Sequence, residues 1–310
     1  MSSGLEQRNV FKNYSYLPPE LRMMVVNEMG SKDRCRFSTC SKICNLEAKA
    51  SKDYVYSLKI NAMHLYGIII DIEVLHGFDN GRWHGYCLRF EKQQDGTKQM
   101  ICSTLNSEMV WTIELEKSTN LVDYSSEKFK DLLKSCQHSI KELKIYSRFF
   151  GENFDFGIKR LRNLEELRVE SRFLPQFLSK SQRALKVLEV FEEQKIDGCE
   201  KILRVQDRLY APFAHFNYEQ LLRISANDAH IHIGQVTEKE LARFIKSWKH
   251  GKQLKWTLSN SEFDIEKFVK YMGAKKENTE LYQIDLADPK RGILMYVENN
   301  LLMCLWKDKN

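Results

Sequence analysis

Ile140–Tyr146 (IKELKIY), Leu164–Glu170 (LEELRVE) and Leu185–Phe191 (LKVLEVF) share one pattern, an aliphatic residue followed three and five positions later by two more. Apolar and polar residues alternate through the second half of each stretch, which is the period of a strand with one buried face. Leu143 to Leu167 is 24 positions and Leu167 to Leu188 is 21. Helical patterns precede several of these strands: Glu127–Cys136 (EKFKDLLKSC), Leu174–Lys180, and Glu238–Lys249 (EKELARFIKSWK) with Thr237 and Glu240 as a capping box. Strand, helix, strand at this spacing predicts a curved α/β stack with a parallel sheet on its inner side. Leu222-x-Ile224 and Leu254-x-Trp256-x-Leu258 read as later, degenerate copies.

On the N-terminal side of the repeats, residues 54–116 are short alternating runs: Tyr54–Ile60, Ile68–Val74, Trp83–Phe90, Lys98–Ser103 and Val110–Glu116. Asn80-Gly81 and Asp95-Gly96 between them supply the positive φ that tight hairpins need, so this section is antiparallel. On the C-terminal side come a helix over Phe263–Met272, ended by Gly273, and a meander of strands near Leu281–Leu286, Ile293–Val297 and Leu301–Trp306. Asp288-Pro289 and Asn299-Asn300 provide its turns, and the meander caps the stack. The repeat distances fall in the leucine-rich-repeat range of ~20–29 residues. The expected fold class is therefore α+β / α/β: a small three-helix unit, a β section at 54–116, a leucine-rich-repeat-like section at 120–260, and a cap at 261–310.

The three-helix unit is read from residues 15–52. Proline at the start of Leu17-Pro18-Pro19-Glu20 suits a first helical turn, and a helix follows to about Met29 with Gly30 as its stop. Ser31 caps a second helix and Ser41 a third. On the first helix Leu21, Met24 and Val25 fall on one face, Met23 and Val26 on nearly the opposite one, with Met29 at the margin. A helix apolar on two sides needs cover on two sides. One side packs on Phe37, Cys40, Ile43 and Leu46; the other needs the rest of the chain or another protein. Each buried apolar side chain is worth ~1.5–3 kcal/mol against an association cost of ~4–15 kcal/mol, so four or five such residues suffice only with a close fit.

Bulk properties narrow the classes. The chain has 310 residues, 43% hydrophobic and 29% charged, with five prolines and fourteen glycines, as expected of a folded protein. The net charge of +6 is spread along the chain without a basic run, which permits an acidic partner and gives no nucleic-acid signal. No apolar stretch approaches the ~20 residues of a membrane span, and the N-terminus lacks the apolar core of a secretory signal. Eight cysteines without framework spacing suit a reducing compartment, cytoplasmic or nuclear.

No catalytic constellation emerges. Cys35, Cys40 and Cys44 lack zinc-finger spacing and read as buried packers, and the cysteines at 87, 102, 136, 199 and 304 are isolated. His230-Ile231-His232 sets two imidazoles on one strand face without a neighbouring ligand, and reads as a solvent-facing polar edge. His250 suits a helix C-terminus. The adjacent carboxylates Glu165-Glu166 and Glu192-Glu193 read as solvated surface. Phosphate-loop and hydrolase-elbow motifs are absent, so neither cofactor nor metal is expected.

Two motifs carry a resemblance. Leu17-Pro18-Pro19-Glu20-Leu21, then Val25, Met29, Asp33-Arg34, Phe37 and Cys40-Ser41-Lys42, resembles the F-box, although Arg34 stands where many members have leucine and the third helix has no tryptophan. The resemblance implies an F-box domain at 14–52, binding the Skp-type adaptor of a cullin–RING (SCF) ubiquitin ligase and through it the cullin. Leu17, Pro18, Leu21, Val25 and Met29 would form the adaptor-facing ridge, with Phe37 and Cys40 completing the module. Thr237–Gly251, with Leu241, Phe244, Ile245, Trp248 and Gly251, and the strand after it resemble the type-2 F-box-associated domain, placed at 53–310. The first four of those five have i, i+3, i+4, i+7 spacing, which is a helix packing on a sheet. The expected function is target recognition for ubiquitin transfer without catalysis. The protein target is unknown, and Lys144, Tyr146, Arg168, Glu170, Glu189 and Phe191 are its candidate contacts. The alternative is a repeat-type protein-binding module unrelated to ubiquitin.

Overall fold

The computed structural model describes residues 14–29, 37, 40–41, 43–44, 47, 55–63, 68–79, 82–105, 108–146, 149–151, 153–191, 196–197, 200–233, 236–247, 253–258, 264–277, 281–285, 291–298 and 301–308. By contacts the chain divides into two compact units, Met1–Ile140 with Arg148–Arg160, and Lys141–Ser147 with Leu161–Asn310. This division does not coincide with the 52/53 boundary read from the sequence.

The first unit opens with a 3-10 turn, Tyr14–Tyr16, and helix α1, Pro19–Glu28. Pro19 occupies the first turn as its fixed φ dictates. Gly30 and Ser31, expected to end this helix and start the next, lie outside the described residues, as do Cys35 and Leu46. Strands β1 (Ser57–Met63), β2 (Ile69–Asp79), β3 (Arg82–Lys92), β4 (Lys98–Thr104) and β5 (Met109–Leu115) form an antiparallel meander, each pairing with the next. Alternation sorts the strands into two faces. Ile60, Ile72, Leu88 and Cys102 stand in one cross-strand row, and Ile70, Phe90 and Met100 in the next, all buried. The other face is ion-paired across strands, Lys59 to Glu73 at 2.8 Å and Arg89 to Asp71 at 2.9 and 3.1 Å. The turn at Asp95-Gly96 forms as expected, with Gly96 at φ 87° and the Gln93 amide donating to the Thr97 carbonyl at 2.7 Å. The Asn80-Gly81 turn lies outside the described residues.

Helix α2, Leu121–Cys136, starts six residues before the expected Glu127 because Asn120 caps it, its side chain accepting the Val122 amide at 3.0 Å. Leu121, Ser125, Phe129, Leu133 and Cys136 make its buried stripe, and it lies against β2 and β3.

The second unit contains β6 (Glu142–Tyr146), β7 (Glu166–Glu170), α3 (Leu174–Lys180), β8 (Val187–Phe191), β9 (Ile196–Asp197), α4 (Glu200–Leu203), β10 (Arg208–Phe216), α5 (Tyr218–Leu221), β11 (Asp228–Ile233), α6 (Glu238–Ser247), β12 (Gln253–Leu258), α7 (Ile265–Met272), β13 (Lys275–Lys276), β14 (Leu281–Asp285), β15 (Arg291–Glu298) and β16 (Leu301–Asp308). Its strand order is β6-β7-β8-β10-β11-β12-β16-β15-β14-β13, with β9 beside β10. Neighbours from β6 to β12 are parallel, and from β12 onward antiparallel.

Register explains the repeat. Leu143, Leu167, Leu188, Leu209, Ala229 and Leu254 are laterally aligned. The residue two before each strand's aligned position makes the same turn contact: Glu165, Lys186, Asp207 and Asn227 amides donate to the carbonyls of Lys141, Glu165, Lys186 and Asp207 at 2.7–3.0 Å. Leu222-x-Ile224 is not a repeat strand. It follows α5 as a turn, where Asn217 and Gln220 form a capping box, and the strands of those repeats are Arg208–Phe216 and Asp228–Ile233. The C-terminal meander closes the parallel run as expected, β16 pairing with β12. Its turns at Asp288-Pro289 and Asn299-Asn300 lie outside the described residues.

Candidate functional site: an open helix face and a charged strand face

In the first unit, Val26, Phe37 and Cys44 form a buried cluster with Tyr14 and Met29 packed against it. Tyr14 donates its hydroxyl to Glu47 at 2.7 Å, Arg22 pairs with the same carboxylate at 2.8 Å, and the Tyr14 ring meets Phe37 edge-on at 5.0 Å. Burial, then the bond to Glu47, push the Tyr14 phenol above its ordinary range, so it remains a donor. The segment before α1 is thus tied down at both a ring and a hydroxyl.

The other face of α1 is open. Leu21, Met24 and Val25 are exposed, Val25 by 40%, and Pro18 and Cys40 are exposed beside half-buried Leu17. Ile43 and Cys40, expected to pack inward, point out, and Cys44 takes the inner position. Ser41 sets this phase, its Oγ accepting the Cys44 amide at 3.1 Å. Phe37 is 1% exposed, and Met29 packs on the same cluster. Both therefore support the ridge from within, while Leu17, Pro18, Leu21 and Val25 supply its surface.

In the second unit, the face opposite the aligned leucines carries Glu142, Lys144 and Tyr146 on β6, Glu166 and Arg168 on β7, Glu189 and Phe191 on β8, Arg208 and Tyr210 on β10, and Asp228 and His230 on β11. Charges alternate across it. Arg168 pairs with Glu189 at 3.3 Å, Arg208 reaches Glu189 at 3.6 Å and Asp228 at 3.3 Å, and Lys144 pairs with Glu142 at 2.9 Å. Glu142 and Glu166 are opposite each other in register. Burial, reinforced by Glu142, raises the Glu166 carboxyl above the usual range. Tyr146 and Phe191 rings sit 5.2 Å apart, and Tyr210 meets His230 edge-on at 4.9 Å. Glu189, Phe191, Arg208, Leu209, Tyr210, Asp228 and His230 line a groove of about 350 Å³.

Of the six expected target contacts, Glu189 and Phe191 line this groove, and Lys144, Tyr146 and Arg168 share its face. Glu170 does not serve: it is 3% exposed and accepts from Arg172 Nε at 2.8 Å, because β7 ends there and the following 3-10 turn folds Arg172 over it. Arg208, Tyr210 and Asp228 were missed, and His230 was read only as a polar edge, because their strands carry Ala211 and Ala229 where the earlier copies have larger aliphatics. The x-apolar-x-apolar order of Arg208–Ala211 and Asp228–Ile231 was the available signal. His230 also stands in the sheet interior rather than at an edge, since β11 pairs on both sides.

Among the described residues no three His, Cys, Asp or Glu side chains gather as metal ligands, and no helix is long and apolar enough to cross a membrane. Cys87 is pushed up to about 12 by burial and by Asp71 and Glu73, so it stays a protonated thiol. The capping box of α6 forms as read, with the Glu240 amide donating to Thr237 Oγ1 at 3.3 Å and the Thr237 amide to Glu240 at 3.0 Å. Leu241, Phe244 and Ile245 are buried, as a packed helix requires; Trp248, His250 and Gly251 lie outside the described residues.

The architecture is a mixed α/β protein whose second unit presents a charged and aromatic strand face. Within that unit residues 200–258 match the F-box associated family, which supports an F-box-associated domain there. The match runs from α4 to β12 and includes five of the seven groove residues. No curated protein and no solved structure matches the chain.

Proposed function

We propose that this chain is the substrate-recognition subunit of an SCF ubiquitin ligase. The F-box read at 14–52 docks a Skp-type adaptor, and through it the cullin, by the open ridge of Leu17, Pro18, Leu21 and Val25. The strand face around the groove holds a protein target. The chain contributes no catalytic group; tethering raises the effective concentration of target lysines beside the ubiquitin-loaded enzyme. Work of this kind belongs in the cytoplasm or nucleus.

One observation carries the reading: an F-box-associated match at 200–258 lies downstream of a helix that buries Val26 and leaves Leu21, Met24 and Val25 uncovered. A surface of that kind in front of that domain type favours adaptor docking over a binding module unrelated to ubiquitin.

Co-expression with a Skp-type adaptor tests it. The unchanged chain is expected to co-purify, and Leu17→Ala/Pro18→Ala to lose the adaptor while keeping its circular dichroism. Equal recovery of adaptor with both forms would sink the assignment.

A further inference from the structure

The repeats centred on Leu167, Leu188 and Leu209 each carry an arginine five positions before that leucine: Arg162, Arg183 and Arg204, 21 positions apart in turn. The segments that hold them lie side by side. Leu161 bridges to Ser181, the Gln182 amide donates to the Leu161 carbonyl at 3.2 Å, and the Gln206 amide to the Leu185 carbonyl at 3.0 Å. β7, β8 and β10 are neighbours in that order, so the three arginines follow one another at about 5 Å of backbone spacing along the turns that enter the sheet. At 21 residues apart they form no basic run in the sequence; the stack assembles the row.

All three are exposed, and among the described residues none makes a side-chain hydrogen bond or an ion pair. Arg168, Arg172, Arg208 and Arg223, on the same strands and turns, each reach a carboxylate. The entering segments, 161–165, 180–186 and 203–207, hold five bases and two acids. Glu165 is already engaged by Lys186 at 2.6 Å, which leaves Asp207 against Arg162, Lys180, Arg183 and Arg204. A helix C-terminus accounts for a cation after α3 and after α4. Between β6 and β7 no helix stands before Arg162 among the described residues. Aligned like charges repel, and an anion from outside offsets that repulsion.

We propose that this arginine row is a docking surface for an acidic segment of a partner protein, with one carboxylate entering at each arginine. The guanidinium fork matches a carboxylate bidentately. Alternate side chains of an extended segment share a face at ~7 Å spacing, which long arginine side chains fanning from a narrower row can meet. None of the three entering segments contains an aromatic residue, so no ring is there to stack a base, which favours polypeptide over single-stranded nucleic acid. This assignment rests on the target-binding role given to the second unit and adds the charge class of a segment it takes; adaptor docking plays no part in it.

Fluorescence anisotropy of the full chain with a labelled peptide of alternating glutamate and serine tests this. Binding is expected, weakening as salt is raised, with none to the matching glutamine–serine peptide. Arg162→Gln, Arg183→Gln and Arg204→Gln each raise the dissociation constant about two- to fivefold, and the triple variant about tenfold or more. A charge-matched control, Lys270→Gln/Lys275→Gln/Lys276→Gln, retains binding. The substituted arginines are exposed, so circular dichroism and urea midpoints stay unchanged; the single variants carry the test if the triple variant does not fold. No binding of the glutamate peptide, or equal weakening by the lysine control, overturns the proposal. So does tighter binding of labelled oligodeoxythymidine through the same arginines, which would assign the row to nucleic acid. Any of these results leaves adaptor co-purification, the readout of the ligase assignment, untouched.

Discussion

Val25 and Val26 are adjacent in α1 and stand in opposite surroundings: Val26 is wholly buried against Phe37 and Cys44, and Val25 is 40% exposed. Successive helical positions are ~100° apart, so one short helix serves an interior and a surface at once. Val26→Ala removes buried methyl groups and should lower stability by about 1–3 kcal/mol, read as a fall in the urea midpoint. Val25→Lys should leave that midpoint within about 0.5 kcal/mol and abolish adaptor binding. Retention of adaptor by Val25→Lys would remove this helix face from the docking surface.

The groove on the parallel strands predicts a complementary pattern. Phe191 and Tyr210 are its aromatic anchors and Arg208 its most exposed charge, at 55%. Aromatic and arginine side chains dominate interface energies. Phe191→Ala/Tyr210→Ala should retain the adaptor in pull-downs and lose the proteins that the unchanged chain brings down with it. An identical set of co-purifying proteins, identified by mass spectrometry, would place the target elsewhere.

Much of this fold was legible because it follows local periodicity. The three leucine-centred strands, the five-strand meander and the C-terminal meander all declare themselves by alternation bounded by turn residues. Three features resisted. The strand at Asp228 has Ala229 at the aligned core position and the strand at Arg208 has Ala211 two residues beyond it, which weakens the alternation below that of nearby Leu222-x-Ile224. The start of α2 depends on a single cap, Asn120. Cys40 and Cys44 both read as buried packers, and the outward turn of Cys40 depends on the Ser41 cap, which shifts helical phase without altering composition. The charged face was half legible for a related reason: side-chain alternation gave Lys144, Arg168 and Glu189, while lateral pairing, which a single sequence does not contain, joined them to Arg208 and Asp228.

Glu165 and Glu166 are sequence neighbours with opposite electrostatics. Lys186 lies 2.6 Å from the Glu165 carboxylate and, with Lys141 at 4.0 Å, holds it below the usual carboxylate range; burial and Glu142 hold Glu166 above it. A lowered folded value means that the stabilisation is present above the unfolded pKa of ~4.3 and is lost as pH falls through the folded value. A raised value means that ionisation destabilises, so stability falls as pH rises through it. Glu165→Gln should therefore cost stability at pH 7 and little in acid, and Glu166→Gln should gain it at pH 7. Both pairs are partly solvated, so each effect is about 0.5 kcal/mol. Urea midpoints measured across pH would show the two signs; changes of the same sign would contradict this assignment.

Gly85 faces Leu75 across the β2–β3 ladder, just before the register shift between Leu75 and Gly77. A β-carbon built at Gly85 would lie 2.0 Å from the Val74 carbonyl oxygen and 3.0 Å from its carbon. Both are backbone atoms of the paired strand, so no rotamer change relieves the clash and the strands must part. That separation disturbs the cross-strand row holding Val74 and Tyr86, both buried. Gly85→Ala should therefore destabilise by about 1–3 kcal/mol or more, the range of overpacked sites, despite the gain that alanine brings through a less flexible unfolded chain. A thermal midpoint unchanged or raised in Gly85→Ala would mean that β2 and β3 do not approach this closely in solution.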